Sequence, residues 1–153
     1  MSVTTPVYQE QTVEVGGAGI HVLQGGSGEA VVVLHQDIGT PGWLPFHDQL
    51  VAQFSICAPS YPGFGVSEPI EWLANVRDIA LVQLWLLRRL QLRPRAVVGL
   101  GFGGWLAAEM ALMDPNLASK LVLVAPLGLK PQHGEMVDQF LVNPGDYVQA
   151  GLH

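Results

Sequence analysis

Residues 96–110 read AVVGLGFGGWLAAEM, and this stretch decides the fold. A short β-branched run, Ala96-Val97-Val98, turns sharply through Gly99-Leu100-Gly101-Phe102-Gly103-Gly104 into an apolar, small-residue pattern with helical spacing. Strand, tight glycine turn and helix in immediate succession predict a unit of a parallel α/β sheet. Ala107, Ala108 and Ala111 let the following helix approach the sheet closely, and Asp114-Pro115 ends it.

Working outward, the same alternation recurs on both sides. Upstream, Ala30 to Leu34 and Ser55 to Ala58 are continuous apolar runs without alternation, as in strands buried on both faces. Between them Trp43, Phe46 or His47, Leu50, Val51 and Phe54 recur at helical spacing. A longer helix is predicted from about Trp72 to Leu90, with Arg77, Asp78, Arg88 and Arg89 on its solvent face. Downstream, Lys120 to Pro126 is the last predicted strand, followed by a short helix near 135–141 and a turn at Asn143-Pro144-Gly145. At the start, Thr12 to Val15 and Ile20 to Leu23 flank a glycine-rich turn and predict a hairpin. The predicted order is β-β-β-α-β-α-β-α-β: one α/β domain, with a core at 12–126 and a tail or start of a lid at 127–153.

Composition narrows the function classes. The 153 residues are 49% hydrophobic and 13% charged, with a formal net charge of −6, the profile of a globular core. The seven Lys and Arg are read as forming no patch, which argues against nucleic acid or an acidic membrane as partner. Cys57 stands alone in an apolar run, so it forms no intrachain disulfide and is expected to be a buried inert thiol. The N-terminus lacks a basic region followed by an apolar stretch. The apolar run near 79–87 is broken by Gln83 and is too short to span a bilayer, so a cytoplasmic protein is expected.

Four segments in order resemble the first half of the α/β-hydrolase family. They are the His35 loop, HQDIGTPGW; the loop YPGFGVS at 61–67; the turn GLGFG at 99–103; and LVLVAPLGL at 121–129. The resemblance implies a three-layer α/β/α sandwich with a mostly parallel sheet and an N-terminal antiparallel hairpin. In that family G-x-S-x-G, the nucleophile elbow, carries a serine that attacks an acyl carbon. Here the nucleophile position is Gly101, which has no side chain. The oxyanion donors implied are the backbone N–H groups of Asp37 and Phe102, and Gln36 departs from the family's His-Gly pattern. The family's acid and base follow later strands that residues 127–153 are too short to supply.

Local substitutes are weighed against plainer roles. His35 with Ser60 or Ser67 could form an improvised pair, although a loop histidine here more often bonds nearby backbone. His133 and His153 read as surface residues, and Trp43, Tyr61 and Trp105 as packing more than pocket walls. Gly99, Gly101 and Gly104 also fit the spacing of a dinucleotide loop. The next strand, however, ends Ala125-Pro126-Leu127, with no acid for a ribose. No cofactor or metal is expected.

The resulting expectation is a hydrolase-like chain that is inactive alone and binds a small acyl molecule. The alternatives are an acyl hydrolase completed by a partner chain or by non-standard residues, and a non-catalytic interaction module. The apolar strand Leu121 to Ala125 would leave an open sheet edge, so a homodimer through it or through the C-terminal segment is expected.

Overall fold

A computed structural model describes residues 8–39, 42–130, 132, 133 and 143. Six strands form one sheet in the order β1-β2-β4-β3-β5-β6. Strands β1 (Tyr8–Val15) and β2 (Ala18–Gly26) pair antiparallel across a two-residue turn. Gly16 and Gly17 both hold positive φ there, +65° and +89°, the requirement of the tightest hairpin turn. Antiparallel pairing of β2 with β4 (Ser55–Pro59) joins this hairpin to a parallel block. That block contains β4, β3 (Ala30–Leu34), β5 (Ala96–Leu100) and β6 (Lys120–Val124).

Helices lie on both faces. Helices α2 (Val76–Arg89) and α3 (Phe102–Met113) cover one face and bury Leu86, Leu106 and Met110 against Val32, Leu34 and Val97. Helix α1 (Pro45–Leu50) covers part of the other, where Phe46 and Leu50 pack on Val31, Val33 and Ile56. Alternate residues of buried parallel strands thus feed two separate cores, as the continuous apolar runs require.

Helix α2 begins four residues later than its apolar spacing suggests. The Asn75 side chain accepts from the N–H groups of Arg77 and Asp78, at 2.9 and 3.2 Å. The Asp78 carboxylate in turn accepts from the N–H groups of Ala74 and Asn75. This reciprocal cap fixes the start and leaves Trp72 outside the helix. The short helix expected near 135–141 lies outside the described residues.

Strand β6 is the sheet's edge among the described residues. Leu121, Val122 and Val124 remain 41–48% exposed. Register places Val122 and Val124 beside Val98 and Leu100, on the face α1 occupies farther along the sheet. That stretch of face carries no helix among the described residues.

Candidate functional site

The elbow is fully formed. Gly101 sits between the end of β5 and the first residue of α3 with φ +53° and ψ −114°. Its N–H donates to Val124 O at 2.9 Å, and its carbonyl accepts from Gly104 N–H at 2.9 Å and Leu127 N–H at 3.0 Å. Flanking glycines are required by space. A Cβ at Gly99 would lie 2.3 Å from Gly103 O, and one at Gly103 would lie 2.4 Å from Leu34 O. Gly101 differs, because a Cβ there would meet only Gln36 Cγ at 3.6 Å and Gln36 Cβ at 3.8 Å, ordinary contact distances. Packing therefore leaves room for a side chain at Gly101; only the positive φ opposes one.

The His35 loop faces this turn. His35 Nδ1 lies 2.6 Å from Gln36 O, and its Nε2 accepts the Tyr61 N–H at 3.2 Å. An accepting Nε2 and a carbonyl at Nδ1 place the proton on Nδ1 of a neutral ring. The Tyr61 hydroxyl donates back to His35 O at 2.7 Å, and the two rings stack at 3.7 Å. Burial holds the His35 pKa below its usual value, opposed by the bond to Gln36 O. His35 thus pins the loop after β3 to the loop after β4, as its backbone-bonding reading anticipated, with both ring nitrogens committed.

Neither serine meets a histidine ring. Ser67 Oγ accepts the backbone N–H of His21 at 2.9 Å, and Ser60 is buried just past the end of β4. Among the described residues no hydrogen bond joins a serine hydroxyl to an imidazole. His133 is exposed, and His153 lies outside the described residues. Phe102 opens α3, so its N–H has no intrahelical acceptor. Asp37 lies exposed in the turn that the Gln36–Gly39 bridge closes.

Beside this loop is a cavity of about 210 Å³ whose walls include Val33, Gln36, Ile38, Leu44, His47 and Leu100. It reaches the C-terminal ends of β3, β4 and β5. Trp43, Tyr61 and Trp105 do not line it. Trp43 instead stacks on Tyr8 at 4.7 Å and donates to Asp48, and Trp105 donates to Glu109.

His47, read from the sequence only as one option for a core position, forms part of the wall of this cavity. It is 2% exposed and lies against Phe46 at 4.0 Å and Trp43 at 4.8 Å between ring centres. Its Nδ1 accepts the Leu44 N–H at 3.0 Å, while its Nε2 is buried without a partner. Burial lowers its pKa, partly offset by Asp48. Helical spacing could have flagged a histidine facing the sheet, but not the missing partner.

A second, wider cleft of about 620 Å³ lies at the other end of the sheet, before β5 and β6. Leu84, Leu87 and Leu92 line it together with Arg88, Arg93 and Asp114. Four of the seven basic residues fall within 88–95, so the reading of no basic patch misses a local grouping. Arg95 lies 3.8 Å from Glu29, whereas no ion pair engages Arg88 or Arg93 among the described residues. No cluster of metal-ligating side chains occurs among the described residues. No helix among them is long and apolar enough to cross a membrane.

Known proteins share this arrangement. The family model for the alpha/beta hydrolase fold matches residues 24–150. A 2-hydroxy-6-oxononadienedioate/2-hydroxy-6-oxononatrienedioate hydrolase from Pseudomonas sp. is 33% identical over 119 residues, covering 72% of this chain and 41% of the relative. A 2-hydroxy-6-oxo-6-phenylhexa-2,4-dienoate hydrolase from Burkholderia cepacia is 29% identical over 120 residues, with coverages of 72% and 41%. Among solved structures, a membrane phospholipase A superposes with a TM-score of 0.77 at 25% identity, covering 84% of this chain and 43% of its own. The chain spans about two fifths of the length of these curated relatives. With the strand order, the glycine elbow and a match over most of its length, the chain belongs to the α/β-hydrolase fold family.

Proposed function

We propose that this chain binds a small acyl or oxo compound at the C-terminal ends of β3, β4 and β5 and leaves it uncleaved. The observation that carries this is the elbow itself: Gly101 keeps the backbone shape of a nucleophile position and supplies no nucleophile. Without an attacking side chain no covalent acyl intermediate forms there. His35, spent on Gln36 O and Tyr61 N–H, offers no free nitrogen to activate water. What persists is the recognition half of the chemistry. We assign the Phe102 and Asp37 N–H groups as donors to the ligand's oxygen, and the adjoining cavity as the seat of its apolar part. The relatives named as hydrolases of 2-hydroxy-6-oxo-dienoates suggest an oxo-acid of that kind as ligand.

Turnover of 4-nitrophenyl acetate tests the reading. The wild-type chain is expected to release nitrophenol no faster than buffer. Saturable turnover that is lost in Phe102→Pro overturns it. Proline suits that position, the first of α3, because it removes the N–H without breaking the helix.

The exposed β6 edge favours a second reading, in which the chain works against another polypeptide. A homodimer through Leu121–Ala125 is the simplest form; light scattering that shows a monomer at micromolar concentration refutes it. A partner that restored acyl hydrolysis would have to bring the nucleophile as well as the acid and base, since Gly101 cannot.

A further inference from the structure

We propose that Gln36 is the specificity residue of the candidate site, its carboxamide accepting from a hydroxyl next to the ligand's acid or oxo group. Hydroxy acids and hydroxy ketones then bind ahead of their deoxy counterparts. The assignment rests on the proposed ligand site at the ends of β3, β4 and β5 and deepens it by naming what the ligand carries.

The Gln36 side chain stands over the elbow. Its Cγ and Cβ are the atoms that a Cβ at Gly101 would meet, at 3.6 and 3.8 Å, with nothing else within 4 Å. Gln36 therefore borders the space that a nucleophile would fill. The same residue forms part of the wall of the 210 Å³ cavity, together with Leu100, which precedes Gly101. His35 and His47 in that wall are buried, whereas Gln36 is exposed, so an incoming ligand meets its side chain.

The root of this side chain is held and its tip is free. Gln36 O accepts from His35 Nδ1 at 2.6 Å and from Gly39 N–H at 3.1 Å. The Tyr61 hydroxyl fixes the preceding carbonyl, His35 O, at 2.7 Å. Among the described residues no hydrogen bond engages the Gln36 carboxamide. Anchoring the root limits the conformational freedom that binding must remove. The clasp between the two loops thereby gains a purpose: it holds Gln36 over the elbow.

The ligand class follows from what each group can do. The Phe102 and Asp37 N–H groups only donate, so they serve a ligand oxygen that accepts. His35 has both ring nitrogens committed. A carboxamide carries an acceptor as well as two donors. Gln36 Oε1 thus sets an acceptor beside the donors, and a hydroxyl adjacent to a carbonyl or carboxylate uses both. Chain connectivity sets the adjacency. Gln36 precedes Asp37 and lies against Gly101, which precedes Phe102. The two ligand oxygens therefore lie close enough together for neighbouring carbons to carry them.

Mandelate and phenylacetate test this on the intact chain, because they differ by one hydroxyl. A cavity of roughly 150 Å³ accommodates benzene, so the ring of either acid fits the 210 Å³ here. Each is titrated into isotope-labelled protein while the Val33 and Leu100 methyl signals and the Gln36 side-chain amide are followed by NMR. Both acids are expected to shift the methyls, and the tighter enantiomer of mandelate to bind ahead of phenylacetate. In Gln36→Leu the mandelate-to-phenylacetate affinity ratio is expected to fall about fivefold, the usual worth of one neutral hydrogen bond. Both acids carry the same charge, so the ratio cancels repulsion from the exposed Asp37. Gln36→Glu keeps an acceptor and is expected to retain the preference while weakening both acids. An unchanged ratio in Gln36→Leu, or a preference lost in Gln36→Glu, overturns the role of Gln36 and leaves the cavity standing. Methyls unmoved by either acid overturn the ligand site as well, without touching the absence of ester cleavage, which the nitrophenyl assay reads separately.

Discussion

Replacing Gly101 by serine restores the family's elbow sequence and separates strain from chemistry. The new Cβ meets only Gln36 Cγ at 3.6 Å and Cβ at 3.8 Å, so no backbone must move. The cost is conformational: a non-glycine residue at φ +53° loses about 1–3 kcal/mol. For a domain of this size that corresponds to a fall in melting temperature of about 2–12 °C. Gly103→Ser is the control, because its Cβ would sit 2.4 Å from Leu34 O and 2.6 Å from His35 O, both backbone atoms. Its loss should exceed about 4 kcal/mol, the range of outright steric failure. Urea denaturation followed by tryptophan fluorescence ranks the two variants. Equal destabilisation would refute the steric distinction between the positions. Nitrophenyl acetate turnover by Gly101→Ser is expected to stay at the buffer rate, since His35 has no free nitrogen; rapid turnover refutes that assignment.

Three further outcomes follow from the same geometry. His35 and His47 have pKa values held down by burial, so the unfolded chain takes up protons first as pH falls. Their contribution is complete above about pH 6.5 and lost below it. The urea midpoint should drop from pH 7.5 to 5.5, less steeply in His35→Gln, and a rise on acidification counts against the buried neutral rings. Tyr61→Phe leaves His35 O without the hydroxyl it accepts at 2.7 Å and should cost about 1–3 kcal/mol in the same denaturation experiment. An unchanged midpoint removes Tyr61 as the clasp between the two loops. Cys57 is 1% exposed with its thiol pKa pushed up to about 12 by burial. A disulfide reagent should therefore label it only in denaturant, and fast labelling of the native chain contradicts the burial.

The sequence carries the sheet more clearly than the site. Ala30–Leu34 and Ala96–Leu100 announce themselves because strands buried on both faces need unbroken apolar residues. GLGFG marks the elbow because close strand–helix approach admits only glycine at Gly99 and Gly103. Less legible is whatever depends on contacts far apart in the chain. The Asn75 cap moved the start of α2 because a side-chain bond outweighs apolar spacing. His35 and Tyr61 are 26 residues apart, and their two hydrogen bonds and ring stack leave no local signature. His47 looked like any apolar-face residue, since a missing partner can be seen only when every neighbour is in place. Arg88 and Arg93 gather at one cleft because the chain turns at Leu90–Gln91, where Gln91 takes φ +53°, though their nearness was already visible in the residue numbers.

The most direct measurement is the intact mass of the chain after exposure to a fluorophosphonate, which traps activated nucleophiles of acyl-transfer sites covalently. An unmodified mass after prolonged incubation is the result expected of an elbow with Gly101 at its apex. A stoichiometric adduct on any residue near the β3, β4 and β5 ends contradicts it and shows that the chain supplies a nucleophile of its own.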